Sequence, residues 1–217
     1  MTVMLTVAVK PKDGLKPYIL MGSDTLQIQG HPTFSEDGDV VSIEEVSRNE
    51  NYQKKYHINN KLIGMTGRFN EDLTNLLINF LKENDTTIDK LSQIAHDFVK
   101  DYITNDISVE YQRVTVTIGS CDDSRPTVSY IEVDTRYLSE TIIDICEVTE
   151  AGSFVPIFTG NRKNTPDLQV AFIERVQNNS INYNIRSVRN AAKEYLEKAA
   201  LRYSETCNQN IVFKILR

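Results

Sequence analysis

Three cysteines, three histidines and one acidic run are the side chains of this 217-residue chain whose types invite a test for metal, redox or nucleophilic chemistry. Cys121, Cys146 and Cys207 are odd in number and too scattered for a CxxC pair. They predict neither a disulfide framework nor a structural zinc site, and read as free thiols in a reducing compartment. His31, His57 and His96 lie far apart without HxxxH spacing, so no catalytic metal is expected. Glu36-Asp37-Gly38-Asp39 resembles the start of a calcium loop but lacks the ligand pattern of about 12 residues that such a loop needs, and reads as a solvated turn. There is no GxSxG, no glycine-rich phosphate loop and no GxGxxG. No metal and no cofactor is expected.

The composition narrows the partners. Twenty-four Lys and Arg against thirty Asp and Glu leave a net charge of −6, and no basic cluster offers the electrostatic footprint of a nucleic-acid binder. No apolar run approaches the roughly 18 residues of a membrane span, and the first residues lack the basic and apolar regions of a secretory signal. The expectation is a cytoplasmic chain forming a single domain over residues 1–217.

Hydrophobic patterning sets out the elements that would position any chemistry. Thr2 to Val9 is β-branched and apolar, and reads as a strand; Pro11 and Asp13-Gly14 then reverse the chain into a second strand, Tyr18 to Asp24. A polar stretch from Leu26 to about Gln53 carries only one short strand signal, near Val40–Ile43. Lys54–Ile58 and Lys61–Met65 predict a strand pair joined at Asn59-Asn60. Asn70 caps a helix with Leu73, Leu76, Leu77, Phe80 and Leu81 as its apolar stripe, and Thr86 or Thr87 caps a second with Ile88, Leu91, Ile94, Ala95 and Phe98. Strands return over Val109–Gly119, Thr127–Val133, Thr141–Val148 and Phe154–Phe158. Thr165 before Pro166 starts a third helix, Asn184 a fourth, and Ile211–Leu216 closes the chain as a strand. Helices arriving in pairs between antiparallel strand groups do not make βαβ crossovers. They cover the outer faces of two stacked sheets, which predicts an α+β, four-layer α/β/β/α sandwich.

With a strand starting at Thr2, a second ending in Asp24, a lysine at Lys54 and Ile63-Gly64-Met65-Thr66-Gly67 leading into a helix, the chain resembles the proteasome β-type subunits. These, with the simpler bacterial protease rings, are N-terminal-nucleophile (Ntn) hydrolases, and the resemblance runs over almost the whole chain. It implies the Ntn-hydrolase sandwich and a threonine-type peptidase of peptides or unfolded proteins, working as a homo-oligomeric ring, with an ATPase unfoldase as a further partner. It implies Thr2 as the nucleophile once Met1 is trimmed, its own α-amino group as base, and Asp24 and an adjacent lysine as supports. Lys54 matches by its K-x-x-x-I spacing to Ile58, but Lys55 remains an alternative that strand alternation would place on the opposite face. Gly67 matches the oxyanion glycine, and Thr159, in Phe158-Thr159-Gly160, stands where the family has Gly-Ser-Gly.

The chain departs from that pattern in two places. Its stretch between Asp24 and Lys54 is longer than the family's. The family's Asp and Ser-Gly-Gly before the last strand are replaced by a segment whose nearest residues are Glu205 and Asn208. Two other readings therefore stand beside the peptidase: a catalytically silent subunit that keeps the fold for assembly or binding, and an Ntn amidase acting on small molecules.

Overall fold

A computed structural model describes residues 2–34, 40–106, 111–160, 165–179, 183–204 and 206–217. Strand β1 (Val3–Lys10) pairs antiparallel with β2 (Tyr18–Ser23) through a turn in which Asp13 and Gly14 both adopt left-handed backbone. Between them Val3, Leu5, Val7 and Val9 face one way and Met4, Thr6 and Ala8 the other, and all are buried. That two-sided burial is why the strand reads as a continuous apolar run.

The remaining elements are β3 (Gln27–Phe34), β4 (Val40–Asn49), β5 (Lys55–Ile58), β6 (Lys61–Arg68), α1 (Glu71–Glu83), α2 (Ile88–Asn105), β7 (Arg113–Ser120), β8 (Thr127–Asp134), β9 (Ile142–Glu147), β10 (Ser153–Gly160), α3 (Pro166–Asn179), α4 (Ile185–Arg202) and β11 (Val212–Leu216). Two sheets carry the fold, with strand orders β10-β1-β2-β11 and β5-β6-β7-β8-β9. α1 and α2 cover the five-stranded sheet, burying Leu73, Leu77, Leu91, Ala95 and Val99 against Ile63, Val116 and Ile131. α3 and α4 cover the four-stranded sheet, where Phe172, Val188 and Leu196 meet Leu5, Val7 and Leu20. Met4, Ala8, Ile19, Met21, Leu62 and Val128 fill the space between the sheets. This is the expected four-layer sandwich.

The caps agree with the residue types. Asn70 accepts a hydrogen bond from the Asp72 N–H, and Asn184 one from the Ser187 N–H, each satisfying a free amide of the first turn. Thr87 occupies the cap position of α2, with no side-chain bond to the helix.

The polar stretch after Asp24 is where the structure differs most from expectation. Instead of one short strand it forms a hairpin of β3 and β4, a separate two-stranded sheet. Residues 44–50 of this hairpin are exposed, so this part of its pairing rests on backbone hydrogen bonds and shows no alternation of buried and exposed side chains to read. The extra length between Asp24 and Lys54 is this hairpin. Glu36-Asp37-Gly38-Asp39 lies outside the described residues. A second difference concerns β10, which leaves the sheet of β7–β9 and crosses to pair with β1, from Val3↔Gly160 to Lys10↔Ser153. Among the described residues, no helix is long and apolar enough to cross a membrane.

Candidate active site

The start of β1 is held by Asp24. This residue is fully buried just beyond β2, and its carboxylate accepts the Val3 N–H at 3.1 Å and the Leu26 N–H at 3.2 Å. Its own N–H donates to the Val3 carbonyl at 3.3 Å. Lys54 completes the arrangement, its Nζ lying 3.0 Å from each carboxylate oxygen. Both partners are buried, and a buried ion pair is tolerable only when further hydrogen bonds satisfy it, as the two amides do here. Burial pushes the Lys54 ammonium below the usual lysine range, against the attraction of Asp24.

Lys55 does not turn away to the opposite face. Lys54 precedes β5 and Lys55 opens it, so pleat alternation does not govern the pair, and both long stems reach the end of β2. The Lys55 Nζ donates to Ser23 Oγ at 2.6 Å, and Ser23 Oγ donates to the Asp24 carbonyl at 2.8 Å. Burial, reinforced by the charge of Lys54, lowers the Lys55 ammonium to about 8. The strand start is fixed by the Met65 N–H, which donates to the Lys54 carbonyl at 3.1 Å.

Two glycines allow this packing. A Cβ on Gly64 would lie 2.5 Å from Met4 Sδ and 2.9 Å from Met21 Sδ, so β6 passes close beneath β1 and β2. Gly160 has φ +85°, and a Cβ there would lie 1.7 Å from the Thr2 carbonyl oxygen, so the Thr2 backbone rests against the end of β10. Thr2 itself is buried, and alternation from Met4 carries its side chain to the face between the sheets. Thr159, paired with Met4, is buried and its hydroxyl has no hydrogen-bond partner, rather than bonding locally as a strand-end hydroxyl usually does. Thr66, two residues beyond Gly64, carries a second buried hydroxyl without a partner.

The structure thus gathers Thr2, Asp24, Lys54 and Thr159 around the start of β1. Gly67 is placed differently from a helix-entry residue: it lies within β6, paired with Val114, three positions before the cap Asn70. Its φ of +128° and a Cβ position 2.0 Å from the Arg113 carbonyl oxygen admit only glycine. Ser23 joins the site with no signal in the sequence, and Lys55, the alternative to Lys54, joins it as well. Asn208 accepts the Thr25 N–H at 3.2 Å and donates to the Glu50 carbonyl at 3.2 Å. Its signal was only its position before the last strand. The buried Cys207 thiol lies beside them, pushed up to about 11 by desolvation and by Asp24, which makes it a weak nucleophile. Glu205 lies outside the described residues.

Chemically, the site sets threonine and serine hydroxyls beside two buried amines and one carboxylate. That set suits transfer of a proton from a hydroxyl to an amine, and none of its members calls for a metal.

No protein-family model and no curated protein matches the chain. Among solved structures, the crystal structure of eukaryotic HslV from Trypanosoma brucei matches with a TM-score of 0.52 and 12% identity, over 98% of this chain and 99% of that one. Coverage of both chains nearly end to end shows that the two share their fold, the four-layer sandwich.

Proposed function

We propose that the chain is a threonine-type peptidase related to the proteasome β subunits and HslV. The observation that carries the reading is the Lys54 ammonium bound to both oxygens of Asp24, while the same carboxylate holds the Val3 amide next to Thr2. In this reading Met1 is removed and the α-amino group of Thr2 is free, with a reference pKa near 8. The amine takes the Thr2 Oγ proton as Oγ attacks the scissile carbonyl. The Gly67 amide receives the developing oxyanion. Collapse of the tetrahedral adduct breaks the C–N bond, returns the proton to the leaving amine and leaves an ester on Thr2. Water, deprotonated by the same amine, then releases the acid. Lys54 keeps the amine unprotonated by its positive charge, and Asp24 holds Lys54 in place. Thr159 supplies a hydroxyl to the same end of the site.

The substrates are peptides or unfolded proteins, the working form is a homo-oligomeric ring in the cytoplasm, and an ATPase unfoldase feeds it. One experiment tests the chemistry. The intact mass of the purified chain is measured before and after treatment with a peptide epoxyketone, for wild type and Thr2→Ala. Loss of Met1 and one adduct in wild type, with none in Thr2→Ala, is expected. Met1 fully retained with no adduct would sink the reading.

A second reading, a subunit that keeps the fold for assembly without chemistry, is favoured by one observation. The segment before β11 spends Asn208 on Thr25 and Glu50, bracing the base of the β3–β4 hairpin. A monomer cleaving small amides and no peptides would instead mark an Ntn amidase.

A further inference from the structure

The site contains more positive charge than the Lys54–Asp24 pair requires. Lys55 is as buried as Lys54, its ammonium 2.6 Å from Ser23 Oγ, and Ser23 lies directly across from Met4 on the face that Thr2 shares. Asp24 is the only carboxylate bonded to this pair among the described residues, so the three groups leave one uncompensated positive charge. Among the described residues, the other groups that act on these lysines do not cancel it. Lys214 of β11 adds a further cation near Lys55. The Cys207 thiol, between α4 and β11, is held neutral by burial.

A buried, unpaired ammonium costs free energy, and a chain needing only the packing could place an apolar side chain there. We propose that Lys55 is a second positioning residue of the site, whose charge, anchored on Ser23, holds the α-amino group of Thr2 in its unprotonated, proton-accepting form. The inference rests on the threonine-peptidase reading and adds to it a residue that acts only through space. Two like charges near one amine disfavour its protonation more than one does, and burial leaves them weakly screened. The role is confined to pH values below about 8, where Lys55 keeps its proton.

The rate at which the epoxyketone labels Thr2 is measured against pH for wild type, K55M, K55Q and K55R. K55M removes the charge at similar volume, K55Q removes it but can still bond Ser23, and K55R keeps it. The acid limb of the profile, where the amine loses its proton, is expected to move up by about one pH unit in K55M and K55Q and to stay in K55R. A limb unmoved in K55Q while labelling persists overturns the inference and leaves the peptidase reading standing. So does a limb restored by K55Q alone, which would mark a hydrogen-bonding role, or labelling lost at every pH in a folded K55Q. A wild type that takes no adduct at any pH overturns the peptidase reading and this inference with it.

Discussion

Asp24 performs two tasks with one carboxylate: it fixes the chain direction at Val3 and it neutralises Lys54. Asp24→Asn keeps the shape but leaves the Lys54 ammonium buried beside a neutral amide. It is expected to cost about 3–5 kcal/mol, read as a lower denaturation midpoint in urea. Lys55 makes a separate prediction about pH. Its folded-state pKa, about 8 against the ordinary lysine value of 10.5, is depressed, so between those values the unfolded chain binds more protons and stability rises with pH. Each unit corresponds to about 1.4 kcal/mol, so wild type should gain up to about 3 kcal/mol relative to Lys55→Met between pH 8 and 10.5. Paired urea titrations across that range measure it, and parallel curves would show that Lys55 is not desolvated. Cys207 works in the opposite direction, since its raised pKa lets the unfolded chain lose its proton first. The comparison with the variant cancels that contribution.

At the scale of elements, the β3–β4 hairpin stands apart from both cores. Its base is tied down by the Tyr52 N–H to the Thr25 carbonyl at 2.8 Å, Thr25 Oγ1 to the Glu50 carbonyl at 2.5 Å, and Asn208. Beyond that base residues 44–50 are exposed, and Val46 presents an apolar side chain to solvent. Because none of the three buried clusters draws on the described side chains of β3 or β4, joining Gln27 to Asn49 by a short turn is expected to change unfolding free energy by no more than about 1 kcal/mol. A loss of several kcal/mol in urea unfolding would show that the hairpin supports the Asp24 end of β2. The element order was legible because apolar strands and amphipathic helices bury one defined face each. The hairpin was not, because a strand segment as exposed as residues 44–49 imposes no period on its sequence.

For the whole molecule, the outer helices leave Leu76, Val170 and Leu201 exposed. Apolar residues on the outer layers of a sandwich are where copies of a chain can meet without disturbing the inter-sheet site. The proposed ring predicts a discrete oligomer of one stoichiometry in native mass spectrometry at micromolar concentration. A monomer under those conditions would remove the ring from the proposal and shift weight to the small-molecule amidase.

Residue types and periodicity alone determined the α+β class, the four helices with the Asn70 and Asn184 caps, and the two strands that open the chain. Resemblance added Thr2, Asp24 and a lysine as candidates but left Lys54 and Lys55 undivided. Only the tertiary structure decided that both ammoniums converge on the end of β2, that β10 crosses to lie against Thr2, and that Asn208 braces the hairpin. These are contacts between residues 30 to 183 positions apart. Local patterning records which face of an element is apolar, whereas the direction of a buried polar side chain depends on partners that only the packing of two sheets brings near.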